Sequence, residues 1–352
     1  QCESNFLGIV EKGKNICVGS GGWKNITEKY RKAKAYCDDP FEVRHKGRHK
    51  EIVPIRGEWI GDRLNGGKAG RHRIVEIHCG NSASVDLPES SLDAVLTDPP
   101  YFGNVQYAEL MDFCYVWLRK LIGEKEKPFQ HPSTRSRHEL TGNVDMGRDL
   151  EHFTEGISSV FQRMAKALKP KAPLAFTYHH NTIEAYFPIA VAILDAGLVC
   201  SASLPSPAEM GASIHINGTG SSIIDTVFVC RKTGFISKKS LPFSAAGVAG
   251  LVCQDLAELR KGNVKPSIGD TRCIAYGHLV RLAIWNLRST WDSSTKTSTK
   301  LSAVADWLRA FGGWPEVERH LNELNGTCYN EPLLTVRENT MDYGVEYAHV
   351  SF

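Results

Sequence analysis

Asp98-Pro99-Pro100-Tyr101 is the segment of this chain best equipped for chemistry. Asp98 supplies a carboxylate. The consecutive prolines hold φ at about −65° and disfavour a helical turn, so the carboxylate and the Pro99 carbonyl stay aimed as two hydrogen-bond acceptors. Tyr101 adds a flat face on which a planar ring can stack. The segment follows the apolar run Leu92-Asp93-Ala94-Val95-Leu96-Thr97, which predicts a short strand. Apolar positions 107, 110, 114, 117, 118 and 121 then follow helical spacing. In open α/β sheets ligands bind at the carboxyl ends of strands, and this loop falls at such an end. Two prolines after an aspartate also suit a plain turn; the preceding strand and following helix favour the binding reading.

The elements that must carry this loop are legible in outline. Residues 1–72 are rich in Gly, Lys and Arg and predict a small, irregular, β-rich subdomain. Residues 1–73 hold 16 Lys and Arg against 9 Asp and Glu, a net of +7 in a chain of net +3. The excess lies in Lys29 to Lys34 and Arg44 to Lys50, which suits contact with phosphates or, equally, a solvated surface loop. From Arg73 the texture changes. Ile74 to Cys79 reads as a strand ending at Gly80-Asn81-Ser82, before the strand that leads into Asp98. Residues 128–148 are polar and aperiodic and predict a mobile loop. Helix Phe153 to Leu168, strand Pro173 to Tyr178, helix Ile183 to Ala196 and strands Leu198 to Leu204 and Ile224 to Arg231 follow. This order predicts an α/β fold, a largely parallel sheet with helices on both faces and an antiparallel hairpin at its far end. A catalytic core over 73–235 would then precede a helical region over 236–352, with helices at Val248 to Arg260, Ile274 to Arg288 and Leu301 to Phe311.

Asp98-Pro99-Pro100-Tyr101 resembles the motif of amino methyltransferases, enzymes that methylate the exocyclic nitrogen of adenine or cytosine. The likeness continues through Asn104-Val105-Gln106-Tyr107-Ala108-Glu109-Leu110 and Phe113-Cys114-Tyr115-Val116-Trp117-Leu118. It reappears at Ala165 to Pro170, at Phe176-Thr177-Tyr178-His179-His180 and at Asp225 to Arg231. Residues 74–231 are similar to the large adenine-specific DNA methylases that carry an uncharacterised amino-terminal region and a zinc-ribbon-like insertion. The resemblance implies a Rossmann-like sheet, S-adenosylmethionine as cofactor and DNA as partner. It also implies direct attack by a flipped adenine, without metal or covalent intermediate. Asp98 and the Pro99 carbonyl would accept the two N–H bonds of the amine, making its nitrogen more pyramidal, and Asp98 would stabilise the growing positive charge. Pro100 would rigidify the loop and Tyr101 would stack on the extruded base.

Other positions carry two readings each. Gly80 and Asn81 would touch the cofactor, as would Asp98, or form a plain turn. Asn104, with His179 and His180, would contact the substrate base or DNA; the histidines equally suit structural hydrogen bonding. Glu109 and Asp112 would face the cleft or solvent, and the glycine-spaced run from Glu209 to Gly220 would lie near substrate. The two histidines lack a third ligand, so no metal site is expected.

A glycine-rich cofactor loop of the Phe-x-Gly-x-Gly type is not apparent. Val18-Gly19-Ser20-Gly21-Gly22 is the nearest match and lacks the flanking strand and amphipathic helix; Pro266 to Asp270 is no better. The expectation is therefore a sheet incomplete on its amino-terminal side, with the loop on a missing region or a separate polypeptide. Alternatives are N4-cytosine or RNA-base methylation, a glutamine amide as acceptor, or an inactive or partner-dependent DNA-binding subunit. Ten cysteines without a CxxC pair do not support a self-contained zinc ribbon. Cys114 and Cys230 fall in apolar runs and read as buried free thiols, consistent with a cytoplasmic setting. No apolar run is long enough to span a membrane.

Overall fold

The computed structural model describes residues 9–11, 14–16, 23–46, 49–55, 60–62, 73–103, 105–123, 126–143, 146–208, 222–234 and 241–324. The chain divides into two compact units, Gln1–Cys79 and Gly80–Phe352. Among the described residues no helix is long and apolar enough to cross a membrane.

In the first unit β1 (Ile9–Glu11) pairs antiparallel with β2 (Lys14–Ile16), and β3 (Phe41–Lys46) with β4 (His49–Pro54). Between β2 and β3 runs α1 (Trp23–Asp38), a 16-residue helix where an irregular β-rich stretch was expected. Its Lys, Ala and Glu residues favour a helix. Its apolar Ile26, Tyr30 and Tyr36 are exposed and present no core-facing stripe from which a helix could be read. β5 (Ile60–Asp62) pairs in parallel with β6 (Arg73–Val75). The strand expected over Ile74 to Cys79 is thus shorter and belongs to this pair rather than to the sheet that carries Asp98. Residues 76–79 are exposed and outside regular structure.

The second unit is α/β. Its elements are β7 (Val95–Thr97), α2 (Tyr107–Ile122), α3 (Leu150–Ala167), β8 (Leu174–Tyr178), α4 (Phe187–Asp195), β9 (Leu198–Pro207), β10 (Ile224–Lys232), α5 (Ala245–Lys261), α6 (Ile268–Leu287), α7 (Thr297–Phe311) and α8 (Gly313–Glu323). The sheet order is β7-β8-β10-β9. β7 and β8 are parallel, and β10 runs antiparallel to both β8 and β9. The last two strands pair as expected. They form the antiparallel hairpin at the sheet's far end, with β10 lying between β8 and β9.

Alternation along the strands shows how this sheet is covered. Leu174, Phe176 and Tyr178 of β8 are buried, with Ala175 and Thr177 between them half-buried; Ile224, Thr226, Phe228 and Cys230 of β10 are buried, with Asp225, Val227 and Val229 half-buried. The buried row meets the helices. Phe161 of α3 lies 4.9 Å from Phe176, and Tyr186, just before α4, lies 5.2 Å from Tyr178 and 5.7 Å from Tyr276 of α6 (ring centroids). Any side chain at Gly277 of α6 would collide with Ser203 and Thr226, so glycine permits this close approach. Helices α3, α4 and α6 therefore pack on one face, and among the described residues no helix is seen to pack on the other, where helices on both faces were expected. The period-two pattern of β8 and β10 is that of strands covered on one side only.

Helices α5 to α8 contribute to the same hydrophobic core as the sheet. A buried ion pair ties α4 to α7: Lys300 Nζ lies 2.9 Å from the Asp195 carboxylate, which also accepts the Trp291 indole N–H at 2.9 Å.

Candidate active site

Asp98 stands at the carboxyl end of β7. The register places Leu96 beside Ala175 and Thr97 beside Phe176. Side chains alternate along a strand, so Leu96, 78% exposed, lies on the helix-free face, and Asp98 lines up with Thr177 on that face. The Thr177 hydroxyl donates to Asp98 Oδ1. The Tyr101 hydroxyl donates to the same oxygen at 3.0 Å. Burial, with the Asp225 and Asp98 charges adding to it, pushes the Tyr101 hydroxyl well above its ordinary range, so it stays protonated and remains a donor. Oδ1 is thus engaged twice, while Oδ2 receives no hydrogen bond from any described residue. Among the described residues the carboxylate is thus held by one oxygen and left without a donor at the other.

The loop that carries it is braced from several sides. Pro99 is buried. The Phe102 amide donates to the Tyr178 hydroxyl at 3.4 Å, and that hydroxyl donates to the Ala185 carbonyl at 2.8 Å. Phe102 packs 5.3 Å from Phe153, and Tyr101 5.0 Å from Tyr178. Gly103 has φ +70°, a left-handed conformation that favours glycine. A Cβ at Gly142 would come within 2.8 Å of the Gly103 amide nitrogen and of the Phe102 ring.

Gly142 belongs to the stretch expected to be a mobile loop, and its described residues are instead strapped down. Arg148, almost fully buried, pairs with Glu139 at 2.7 Å, and Glu139 accepts the Ala108 amide at the start of α2 at 2.9 Å. The Tyr115 hydroxyl donates to the His131 carbonyl at 2.7 Å. Asp112 accepts from the hydroxyls of Ser133 and Thr134 and from the Thr134 amide, each at 2.6 Å. These bonds, that from Ser133 first, hold the Asp112 carboxyl down to about 2 from its ordinary 3.8. A depressed carboxylate contributes stability above its ordinary pKa and loses it as pH falls toward the folded value. Asp112→Ala should therefore speed hydrogen exchange of the Thr134 amide by about tenfold at neutral pH. The difference from the wild type should vanish as pH drops from about 4 to about 2. Equal exchange in the two proteins at neutral pH would contradict this anchoring.

His179 follows β8 on the same face as Thr177. Its Nδ1 lies 3.2 Å from Asp225 Oδ1, and its ring stands perpendicular to that of Tyr101 at 5.8 Å. His180 is tied into the fold. Its Nδ1 accepts the Thr182 amide at 3.1 Å and its own amide donates to the Tyr186 hydroxyl at 3.2 Å. Burial, followed by the nearby His179, lowers its pKa and keeps it neutral. Of the two histidines, His179 joins the cluster and His180 is structural.

Gly80 and Asn81 are not brought to Asp98 by any contact among the described residues. The strand before them is absent from this sheet, and Asn81 Oδ1 accepts the Ala83 amide at 2.9 Å, the bond of an ordinary turn. The chain beyond them runs along the end of α3, where Arg163 donates to the Val85 carbonyl and the Ser91 amide donates to the Ala167 carbonyl. That end of the sheet lies opposite Asp98. Asp112 is committed to the strap, and Glu109 lies 3.8 Å from Arg135. Asn104, Val18 to Gly22 and Glu209 to Gly220 lie outside the described residues. Cys230 is buried, and burial pushes its thiol up; Cys114 is exposed on α2 rather than buried, because α2 turns most of its apolar side chains outward.

Thr177 and Asp225 are the members of the cluster that the residue types alone do not single out. Period-two alternation was the available signal: it groups Thr177 with His179 on one face of β8. No family model, curated protein or solved structure matches the chain.

Proposed function

We propose that this chain is the catalytic part of an S-adenosylmethionine-dependent methyltransferase that modifies the exocyclic amino group of adenine in DNA. The observation that carries the reading is the Asp98 carboxylate, held through Oδ1 by Tyr101 and Thr177 and open at Oδ2, at the carboxyl end of a strand. Oδ2 and the Pro99 carbonyl are the acceptors for the two amine N–H bonds. Their placement draws the nitrogen lone pair out of conjugation and favours the positive charge that grows on nitrogen. Half-buried Tyr101 supplies the stacking surface for the base. The choice of adenine rests on the resemblance. Exposed Arg31, Lys32 and Lys34 of α1, with Arg44 of β3 and Lys50 of β4, support a nucleic-acid partner through phosphate contacts.

The residues of this edge fit the reacting end of the cofactor, which supplies an electrophilic methyl group. A cradle for its nucleoside and methionine parts is not found among the described residues. Among those residues the outer edge of β7 is unpaired. The face away from α3, α4 and α6 carries exposed Leu96 and half-buried Ala175, Val227 and Val229, and α2 exposes Leu110, Phe113, Trp117 and Leu121. A free strand edge beside apolar surface suits a further strand-bearing layer. In this reading a Rossmann-like sheet is completed there by a polypeptide segment that carries the glycine-rich loop.

Transfer of labelled methyl groups from S-adenosylmethionine to DNA tests the reading. Thr177→Val should lower the rate about tenfold by releasing one donor from Oδ1, and Thr177→Ser should restore most of it. Equal rates for wild type and Thr177→Val would contradict the assigned geometry of Asp98.

A further inference from the structure

We propose that His179 accepts the proton shed by the methylated amine and that Asp225 positions it; this rests on the methyl-transfer reading above. Strands β8 and β10 pair with Thr226 opposite Tyr178, which sets Asp225 and His179 side by side at the sheet's end. Both are largely withdrawn from water, with side chains 17% and 21% exposed. A carboxylate 3.2 Å from Nδ1 makes that nitrogen the N–H and leaves the lone pair on Nε2. The imidazole thus presents a base on the face that carries Asp98, its ring against that of Tyr101, whose hydroxyl holds Asp98.

The proton needs such an acceptor. The amine nitrogen forms its bond to the methyl carbon as the carbon–sulfur bond breaks, and the electron pair stays on sulfur. The nitrogen then carries a positive charge and one proton too many. Asp98 has Oδ1 committed to Tyr101 and Thr177 and serves the reaction by keeping its charge, so the Nε2 lone pair of His179 is the further acceptor on this face. Transfer to Nε2 leaves a neutral methylamine and an imidazolium beside Asp225. Among the described residues the titratable groups around His179 are Asp225 from β10, Tyr101 from the loop with Asp98 bound to its hydroxyl, and His180 next in the chain. Asp225 offers the imidazolium a counter-charge at Nδ1. Tyr101 and His180 stay neutral and do not oppose it.

Two measurements on the full chain test this. Nitrogen-15 NMR of the imidazoles should show neutral His179 protonated at Nδ1 and bare at Nε2, a preference kept in Asp225→Asn and lost in Asp225→Leu. In methyl transfer to DNA, the kcat of the wild type should fall on the acid side as His179 becomes charged. His179→Gln should lose about 100-fold in kcat together with that acid limb. Asp225→Leu should lose about tenfold in kcat, and Asp225→Asn, which keeps an acceptor for the Nδ1 proton, should restore most of it, a rescue that a merely structural role would not produce. A proton found on Nε2, or a wild-type rate and acid limb in His179→Gln, would overturn the proposal. An inactive wild type would instead overturn the methyl-transfer reading, and the role of His179 with it.

Discussion

Asp98→Asn is expected to lower methyl transfer by about 1000-fold while leaving the fold intact. The substitution keeps size and shape and removes the charge. Tyr101 and Thr177 both donate to Oδ1, so in the variant they select the amide oxygen for themselves. The amide NH2 then faces the substrate amine, donor against donor, where Oδ2 had accepted. The loss therefore combines a missing charge with a mismatched hydrogen bond. Asp98 is exposed, and the unfolding free energy should move by no more than about 0.5 kcal/mol. Initial rates with labelled cofactor and a thermal melt on the same preparations check both halves. A variant that keeps a tenth or more of the wild-type rate would contradict the assigned role.

Lys300→Met is the substitution expected to cost the most stability among the ion pairs of the fold. Lys300 and Asp195 have side chains only 9% and 4% exposed, and Lys300 also donates to the Ser293 carbonyl at 2.7 Å. Removing the lysine leaves a carboxylate buried against the Trp291 indole without its counter-charge, a loss of about 3–5 kcal/mol. Adding Asp195→Asn removes the stranded charge while keeping an acceptor for Trp291, so the double variant should regain part of that loss. Denaturant unfolding of the four proteins measures the cycle. Simple additivity of the two single losses would show that the pair is not coupled.

Legibility in the sequence followed the range of the forces involved. The strand into Asp98, the helices beginning near residues 107 and 150 and the strands over 174–178, 198–207 and 224–232 are local patterns, and period and punctuation expose them. The insertion of β10 between β8 and β9 is a non-local pairing with no trace in either strand alone. One-sided coverage was written in the alternation of β8 and β10, which the expectation of a doubly covered parallel sheet overrode. Residues 76–81 adjoin β6, which is apolar enough to read as part of a strand of the main sheet, but register with β5 decides its partner. The strap over 126–148 looked like a loop because its stability comes from Arg148, Glu139, Asp112 and Tyr115, polar contacts that leave no periodic mark. In the site, Asp98 and Tyr101 stood out by type and order. Thr177 and Asp225 entered only through strand register, and Gly80 and Asn81 left with the strand that was to have carried them.

The role of this chain turns on what Asp98 acts upon. DNA incubated with the chain and methyl-labelled S-adenosylmethionine, together with any polypeptide found to complete the sheet at β7, can be digested to nucleosides and separated by mass. The account predicts label in N6-methyladenine with the wild type and none above background with Asp98→Asn. Label in another nucleoside would contradict the adenine reading, and an unlabelled digest would contradict methyl transfer itself.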